Sequence, residues 1–448
     1  MILRFKYGSV NNEYQYEDKK LKIIDEHLDE NKIRSLFALG YKSCHSEKGR
    51  KPLDPVISYK AHLLYFLKRD TVSFNELPEK INKDTDYRVF CRCQGVSFTP
   101  GYLSLFRKYH LTSEMAAQLH QDIFNSLNDS LNDSLETVTK RSDNETEAKT
   151  EPKDCLRIGI WDSVPMPSYS SPYKDTKHCK CKKPCKCPKY FSDKDASIGW
   201  QSGKPNRKDK FLGYRKHTVL TYDPDKSKRL PIVTTAQTAT TADIEVIEEL
   251  LRLCKGKLDI LLVDRAIYDF EQINKWYLLY DILVIVRPKS NAVLPDYSLS
   301  NTGTPCCPQM DEPLDWSYLD SEDNVHVYNC VKTDCIYEHV CQRQFEIPMS
   351  QHPSLLGAFP AHTRCGRLLL SLRKLIEPEF GVQTLWSRLK SLPFRRLHNF
   401  KLLSQLIDTV HLLKKLSQEP SQGFSICSSV ARRNVERIQH FVVQEGFV

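Results

Sequence analysis

The sequence predicts an α/β protein, with a mixed sheet flanked by helices and an all-helical region before it. Residues 260–263 (ILLV) are apolar at every position, which is typical of a strand buried on both faces. The next segment, residues 268–280, has apolar residues at every third or fourth position, which indicates a helix. A second apolar run, residues 156–161 (LRIGIW), also ends in an aspartate. Strands that alternate with helices in this way favour the α/β class.

The length and charge of the chain limit its class. Its 448 residues are enough for two or three domains with a full core. The formal net charge of +9 suggests a polyanionic partner. The N-terminus lacks the apolar core of a secretory signal, and no stretch approaches the roughly 20 apolar residues of a membrane span. We therefore expect a cytoplasmic protein without a membrane partner, whose 16 cysteines are buried thiols or metal ligands.

Residues 1–48 are predicted to be a leader without a clear pattern, and residues 49–125 a helical domain. One amphipathic helix is expected at 56–67, and Ser73 with Glu76 three residues later is the pattern of a capping box. The exposed cations of this region are Arg88, Arg92, Arg107 and Lys108. They suit a DNA-binding domain, and an ordinary helical bundle with solvated cations fits them equally well.

Residues 126–154 have the composition of a polar linker, in which the tetrapeptide SLND occurs twice in succession. The α/β core should follow at 155–392. Its predicted elements are strands 156–161, 214–222, 230–236, 260–263 and 282–286 and helices 243–254 and 268–280. The first three strands can be antiparallel neighbours, whereas the later ones need helical crossovers.

Two cysteine-containing insertions interrupt this core, a basic one at 171–210 and an irregular one at 290–365. Helical spacing returns at 367–392, and residues 393–448 are predicted to be a C-terminal helical segment with its last helix at 400–416.

Three carboxylates stand out by their positions. Asp162 and Asp264 each follow a buried strand, and ligands of open α/β sheets bind beyond such strand ends. A glutamate on the helix after the fifth strand could join them. Three converging carboxylates would repel one another unless cations were bound, and hard oxygen ligands suit Mg²⁺ or Mn²⁺. Two such ions about 4 Å apart can cleave a phosphodiester. For Asp264 alone, capping of the following turn is the alternative.

Four segments then resemble a known family, the DDE transposases of bacterial and archaeal insertion sequences, which have an RNase H-like catalytic core. Asp162 lies in IGIWDSVPMP, and residues 210–217 (KFLGYRKH) are similar to the family's FxGYKxH strand. Asp264 lies in LLVDRAIYD, similar to the family's D-x-x-Y-D segment. Arg373 and Glu377 resemble the arginine–glutamate helix that supplies the third acid.

The resemblance covers most of residues 50–415, and residues 52–110 also resemble the N-terminal helical region of such transposases. The chain departs from the family at two positions. Leu370 stands where many relatives have tyrosine, and Pro378 directly follows Glu377, where it could kink the helix or lie in its first turn.

The resemblance implies an enzyme that binds the terminal inverted repeats of its mobile element, hydrolyses DNA and joins the 3′ ends to target DNA. Asp162, Asp264 and Glu377 would hold two Mg²⁺ or Mn²⁺ ions, with Arg373 and His217 in support. For Arg373 a plain surface ion pair is the alternative. The implied partner is double-stranded DNA, on which a homodimer or larger assembly would form, and the implied location is the nucleoid.

The choice of the third acid rests on helix geometry and on the family pattern. Glu377 and Glu379 are two residues apart, so on one helix they point about 200° from each other. Glu377 shares a face with Arg373 and fits the family spacing. If Pro378 starts the helix afresh, this angular reasoning fails and Glu379 becomes the competing candidate.

The basic insertion is the segment predicted to contact DNA. Residues 171–217 contain fourteen Lys and Arg against four acids, and a solvated loop is the alternative to a phosphate-binding one. The expected phosphate contacts are Lys180, Lys182, Lys183, Lys186, Lys208, Lys210 and Lys216.

Two cysteine sets have spacings compatible with Zn²⁺, and unliganded thiols are the alternative for both. The first set is Cys179, Cys181, Cys185 and Cys187; the second is His326, Cys330, Cys335, His339 and Cys341.

Two other functions fit the same residues. A catalytically silent DNA-binding protein derived from a transposase would bind without cutting, although none of the three acids is replaced. A structure-selective nuclease on the same core would cut branched DNA without joining ends. Mg²⁺-dependent nicking of DNA that carries the element's ends would discriminate between these functions.

Overall fold

The computed structural model describes residues 14–38, 40–41, 52–69, 72–139, 157–170, 191–201, 209–223, 228–287, 294, 296–320, 322–323, 325–339, 341, 343–348 and 360–417. Within these ranges, seven helices precede the first strand. They are α1 (Lys19–Glu26), α2 (Glu30–Ala38), α3 (Pro55–Leu67), α4 (Leu77–Lys83), α5 (Thr85–Phe90), α6 (Pro100–Tyr109) and α7 (Ser113–Thr139). Helices α1 and α2 belong to the predicted leader, so that prediction was wrong for this part of the chain.

Helix α3 lies at the centre of the helical region. Asp54 caps it by accepting a hydrogen bond from the Val56 amide, and Pro55 occupies its first turn, where a missing N–H costs nothing. Every residue of α3 is buried, because α2, α6 and the C-terminal helix all pack on it. The expected amphipathic helix is therefore a central one. The capping box is confirmed: Ser73 and Glu76 exchange hydrogen bonds just before α4.

The cations of this region mostly serve the fold. Lys60 is fully buried on α3, and its Nζ lies 2.6 Å from carboxylate oxygens of both Asp25 and Glu30. Arg92 contacts the same two acids, at 2.8 and 2.6 Å. Arg107 lies over the rings of Phe74 and Phe394, and Arg88 donates to the backbone oxygen of Asn82. Lys108 Nζ lies 4.6 Å from the centre of the Tyr109 ring, so all four cations from which a DNA-binding domain was predicted have a contact within the protein.

The main sheet has the strand order β4-β3-β1-β5-β6, with β2 paired to the first half of β3. Its strands are β1 (Ile158–Pro167), β2 (Ser197–Gln201), β3 (Asp209–Asp223), β4 (Lys228–Thr238), β5 (Ile260–Leu262) and β6 (Leu283–Ile285). The pairs β1–β3 and β3–β4 are antiparallel, and β1–β5 and β5–β6 are parallel. Helices α8 (Asp243–Cys254) and α9 (Phe270–Tyr280) make the crossovers. The predicted antiparallel and parallel pairings are confirmed, whereas β2, inside the basic insertion, was missed.

The second insertion is less irregular than predicted. Strands β7 (Asp315–Asp320), β8 (Val325–Asn329) and β9 (Gln344–Pro348) form a separate antiparallel sheet. A small apolar cluster that includes Leu314, Tyr328 and Ile347 packs beneath it. This unit lies in the chain between β6 and the helices that follow.

The last part of the chain completes the main core. Helix α10 (Arg364–Ser371) is followed by a 3₁₀ turn (Leu372–Leu375), helix α11 (Ile376–Ser387), a second 3₁₀ turn (Leu389–Ser391) and helix α12 (Leu397–Leu416). The continuous helix predicted at 367–392 is therefore broken twice. Helix α12 packs on β4, α7 and α3, and one apolar core runs from Leu21 to Leu413. The predicted C-terminal segment is, over α12, part of that core.

One predicted boundary also changes. The backbone of α7 remains helical to Thr139, so the first half of the predicted polar linker belongs to a helix, and residues 140–154 lie outside the described ranges.

His120 and Gln121 on α7 donate to the carbonyls of Pro231 and Ile232 on the edge strand β4. These bonds cover an edge that would otherwise pair with other strands. In the described ranges, no helix is long and apolar enough to cross a lipid bilayer.

Candidate functional site

The sheet register brings Asp162 and Asp264 to the same edge. Ile160 on β1 pairs with Leu262 on the parallel strand β5. Each aspartate lies two residues beyond its member of that pair, so the two occupy equivalent positions on neighbouring strands. Because side chains alternate along a strand, residues at equivalent offsets point to the same face. The expected adjacency of the two aspartates is thus present in the fold. The prediction that Asp162 ends its strand was wrong, because β1 continues to Pro167 through its pairing with β3.

The Arg373 guanidinium lies between these two carboxylates. Its Nη1 is 3.2 Å from Asp264 Oδ1, and its Nη2 is 3.7 Å from Asp162 Oδ2. Because one planar guanidinium group touches both, the two carboxylate oxygens lie within about 9 Å of each other. Arg373 belongs to the 3₁₀ turn immediately before α11, and that turn brings a positive charge to the sheet edge.

Burial and several neighbouring charges shift the pKa of Asp162. Burial raises the pKa of Asp162, and the carboxylates of Asp264 and Asp243 raise it further, whereas the Ser163 amide and the Arg373 charge lower it. The amide of Ser163 donates to Asp162 Oδ1 at 2.7 Å. The net pKa shift is upward, so Arg373 and the amide do not fully offset burial and the neighbouring negative charges.

Asp264 also caps the turn that follows it, which was the alternative role that the sequence left open. Its Oδ1 accepts the Arg265 amide at 2.7 Å and caps the 3₁₀ turn Arg265–Ile267. Its side chain remains 53% exposed, so the cap leaves carboxylate surface that faces solvent and Arg373. Capping and membership of an acidic site are therefore compatible for this residue.

Glu377 and Glu379 have very different surroundings. Pro378 lies in the first turn of α11, which begins afresh at Ile376. Glu379 is 2% exposed and contacts Arg229, His411 and Lys415, at 2.9, 2.8 and 3.1 Å. Burial alone would raise the pKa of Glu379, but the hydrogen bond from His411 and the three cations lower it to about 2. Glu379 thus ties α11 to α12 and β4.

Glu377 lies on the exposed side of the first turn of α11, and it forms no hydrogen bond or ion pair with the described residues. The structure therefore brings Asp162 and Asp264 together with Arg373 but leaves Glu377 apart from them. Within the described ranges, no three His, Cys, Asp or Glu side chains form a group ready to hold a metal ion.

Asp243, which contacts His217, is a residue that the sequence reasoning did not single out as functional. It opens α8, and the sequence marked it only as a helix start. Burial raises its pKa, Arg215 lowers it, and the carboxylate of Asp264 raises it. His217 Nδ1 lies 3.9 Å from Asp243 Oδ1. A charged residue at the beginning of a crossover helix, on the side to which the strands run, was the signal available in the sequence.

The neighbouring residues Lys216 and His217 point in opposite directions from β3. Lys216 was predicted to contact DNA, and this was wrong: it is fully buried, and its Nζ lies 2.6 Å from Asp408 on α12. His217 points towards α8, and burial together with the charges of Arg215 and Lys216 lowers its pKa to about 3. It is therefore neutral at pH 7, and its ring stacks on Trp161.

The remaining predicted residues divide into described and undescribed ones. Lys180, Lys182, Lys183, Lys186 and Lys208 lie outside the described residues, and so does the first zinc set of Cys179, Cys181, Cys185 and Cys187. Lys210 is described and exposed, with its Nζ 4.5 Å from the centre of the Trp200 ring.

The second zinc set is described in full. His326 is buried, and its Nδ1 accepts a hydrogen bond from Trp316 at 3.0 Å. Cys330, Cys335 and Cys341 are free thiols. Since the described ranges hold no metal-binding group, the structure does not bring these three cysteines, His326 and His339 together.

Comparison with known families gives one match. Residues 9–108 match the family described as a transposase domain (DUF772). These residues include α1 to α5 and most of α6, and they form about a fifth of the chain. The match lies in the helical region and does not extend to the sheet that carries Asp162 and Asp264.

Comparison with solved structures and curated sequences adds little. The cryo-EM structure of a piggyBac transposase synaptic complex with hairpin DNA is 10% identical over 99% of this chain and 84% of that one, with a TM-score of 0.36. That score is too low for the likeness to carry weight. No curated protein sequence matches the chain.

Proposed function

We propose that the chain is a DDE-type DNA transposase with an RNase H-like core, which cleaves phosphodiester bonds with divalent metal ions and joins the 3′ ends to target DNA. One observation carries the proposal: Asp162 and Asp264 stand at equivalent positions, each two residues past the last parallel pair of β1 and β5, and share one guanidinium. Asp264 follows the end of β5, and ligands of open α/β sheets bind at such strand ends.

Two further features support this assignment. The helical region matches a transposase domain, which makes DNA transposition the natural context for an acidic site on the adjoining sheet. The sheet is mixed: β1, β3 and β4 pair antiparallel and β1, β5 and β6 pair in parallel, as the strand pattern and the connections in the sequence predicted. In the proposed enzyme, Asp162 and Asp264 are the acids of the first and third family segments.

The residues present fit a divalent cation. Carboxylate oxygens are the ligands that Mg²⁺ and Mn²⁺ prefer. Burial, together with the neighbouring carboxylates, raises the pKa of Asp162 by more than Arg373 and the Ser163 amide lower it, and a bound cation would offset both causes. Asp162 and Asp264 would hold the ions, and Glu377 would join them when DNA is bound. When bound, two such ions supply an activated water or hydroxyl and stabilise the leaving oxygen.

The other residues of the site would position these acids. The Ser163 and Arg265 amides each fix Oδ1 of the adjacent aspartate, at 2.7 Å in both cases. Asp264 Oδ2, and Asp162 Oδ2 once Arg373 moves away from it, would then bind a cation. Arg373 holds the two carboxylates together in the absence of DNA. Since a guanidinium also matches phosphate geometry, Arg373 would contact a DNA phosphate during the reaction.

The DNA surface would include the exposed edge formed by β2 and the start of β3. Trp200 is 49% exposed there, and Lys210 lies over its ring. An exposed aromatic ring combined with cations is typical of nucleic-acid surfaces, because bases stack and phosphates pair with positive charge. Residues 171–190, which carry four of the seven predicted phosphate contacts, precede this edge in sequence.

The direct test is strand cleavage with the full chain. DNA from the region flanking its gene, incubated with Mg²⁺, should be nicked by the wild-type protein and not by Asp162→Asn or Asp264→Asn. Both variants should still bind DNA, because they remove one negative charge and leave every cation in place. Asp269→Asn is the matched control: Asp269 caps α9 five residues after Asp264 and should not be needed for cleavage.

Other outcomes of the same assay identify the alternatives. Binding without cleavage by the wild-type protein would indicate a silent DNA-binding protein. Cleavage of branched DNA without joining of ends would indicate a structure-selective nuclease. Full cleavage by both aspartate variants would contradict the proposed site.

A further inference from the structure

The outward face of α11 carries an apolar stripe. Its exposed members are Pro378, Gly381, Val382 and Leu385. They are spaced three and four residues apart, so they lie within about 100° of one another around the helix axis. Leu385 is 79% exposed, and a Cβ added at Gly381 would meet no atom within 4 Å. The opposite face of α11 buries Ile376 and Phe380 in the main core. A helix that is apolar on both sides is typical of one with packing partners on both sides.

The chain leaves the described core beside this helix. In the last turn of α12, Lys415 Nζ lies 3.1 Å from Glu379 Oε1 on α11. Lys414 Nζ lies 4.1 Å from the centre of the Trp386 ring on the same helix. Residues 418–448 follow and lie outside the described ranges. An extended chain spans about 3.3–3.6 Å per residue, and α11 with its 12 residues is about 18 Å long. A short connection from α12 would therefore reach any part of the stripe.

The sequence of residues 418–448 contains a second apolar stripe. Its members are Ala431, Val435, Ile438 and Val442. They are spaced four, three and four residues apart, which is the pattern of a helix that packs along another helix. Apart from Phe441, every position between them is polar or charged. The sequence thus predicts an amphipathic helix over residues 430–443. A helix of this length is marginal by itself in water, so its apolar face needs a surface to pack on.

Helix α9 presents the other group of exposed apolar residues considered as a docking surface. Tyr277, Leu278 and Leu279 are all exposed, but they are consecutive in the chain. Consecutive residues point about 100° apart on a helix, so these three do not form a stripe along α9. The stripe on α11 has the spacing that an amphipathic helix needs, and it lies beside the end of α12.

We propose that residues 430–443 form an amphipathic helix that docks on the exposed stripe of α11 in the same chain. Ala431, Val435, Ile438 and Val442 would form its contact face. Glu377 lies about 40° from Gly381 around α11, so the docked segment would border the proposed third acid. The docking itself does not depend on DNA cleavage.

The test is photo-crosslinking of the full chain without DNA. Leu385→p-benzoylphenylalanine places a photoreactive side chain in the stripe, and mass spectrometry after irradiation should identify crosslinked peptides from residues 430–443. The matched control is the same replacement at Leu278, which is 85% exposed on α9. It should give at least tenfold less crosslinking to that segment. Because both leucines are largely exposed, neither replacement should disturb the core, and thermal unfolding checks this.

A second pair of variants tests the contact face of the segment. Ile438→Asp, made in the chain with the probe at position 385, should lower the crosslink yield at least tenfold, because it puts a charge into the apolar contact. Gln439→Asp adds a charge at the adjacent polar position and should leave the yield within twofold.

Mixing isotope-labelled with unlabelled protein shows which chain is crosslinked. Crosslinks within one chain that Ile438→Asp removes support the proposal. Crosslinks between a labelled and an unlabelled chain would show that a second copy covers the stripe and would overturn it. It is also overturned if the probe at position 385 reaches residues 430–443 no more than the probe at position 278 does, or if Ile438→Asp leaves the yield unchanged.

Discussion

The buried ion pair of Lys216 and Asp408 tests whether Lys216 on β3 stabilises the fold or contacts DNA. Lys216 Nζ lies 2.6 Å from Asp408 Oδ1, 2.7 Å from Thr218 Oγ1 and 3.0 Å from Gln383 Oε1. Both charged side chains are fully buried. Lys216→Met keeps the aliphatic stem and removes the ammonium group, which leaves Asp408 charged and without its cation in the core.

Removing one partner of a buried ion pair costs roughly 3–5 kcal/mol in unfolding free energy. Two donors to Asp408 would remain, the Gln383 amide at 3.0 Å and the Thr218 hydroxyl at 3.2 Å, so we expect the lower half of that range. In Lys216→Met combined with Asp408→Asn the loss should be smaller than the sum of the single losses, because no charge is then left unpaired.

Urea unfolding followed by tryptophan fluorescence measures these differences. Lys210→Met is the control, because Lys210 is exposed on the same strand, and it should change the unfolding free energy by less than about 0.5 kcal/mol. The reasoning is refuted if Lys216→Met is as stable as the wild type and instead lowers the salt dependence of DNA binding, as a phosphate contact would.

Three other predictions follow from the buried acids, the buried histidines and the cysteines. Glu379→Gln should lower the unfolding free energy by about 3 kcal/mol, since it removes the buried charge that Arg229, His411 and Lys415 contact. Glu377→Gln should leave the unfolding free energy unchanged and abolish cleavage. The reverse pattern would show that Glu379 is the third acid. Burial lowers the pKa of His62 to about 4 from its ordinary 6.5, so the unfolded chain binds a proton first. The contribution of His62 to the unfolding free energy is present above pH 6.5 and falls by about 3 kcal/mol as the pH drops to 4. Urea titrations over this pH range should record the loss, and His62→Phe should reduce it. Metal analysis of the purified protein tests the cysteine sets: zinc-free protein that is folded and cleaves DNA would exclude a required zinc ion in either.

Much of the sheet could be predicted because its elements have clear periodicities. The run at 260–263 and the stripe of α8 depend only on residues within one element, and the structure contains both. The adjacency of Asp162 and Asp264 also followed from local information, since parallel neighbours end at the same edge. Strands β7 to β9 were missed because their residues are partly exposed and do not alternate cleanly between apolar and polar.

What could not be predicted depends on distant partners. Lys60 and Arg92 look like ordinary surface cations in sequence, and only the fold brings Asp25 and Glu30 to them. Lys216 and His217 are consecutive in one motif, yet strand alternation sends one to α12 and the other to α8. Asp243 has no motif of its own. Its place beside His217 follows from how α8 crosses back over the sheet, which spacing in the chain cannot reveal.

The most direct measurement of the proposed site is anomalous X-ray scattering from crystals of the full chain grown with Mn²⁺. The account predicts an anomalous peak about 2 Å from carboxylate oxygens of both Asp162 and Asp264, with the Arg373 guanidinium moved away from its 3.2 Å contact with Asp264. A saturated crystal with no peak beside either aspartate, and with Arg373 still bridging the two, would contradict it.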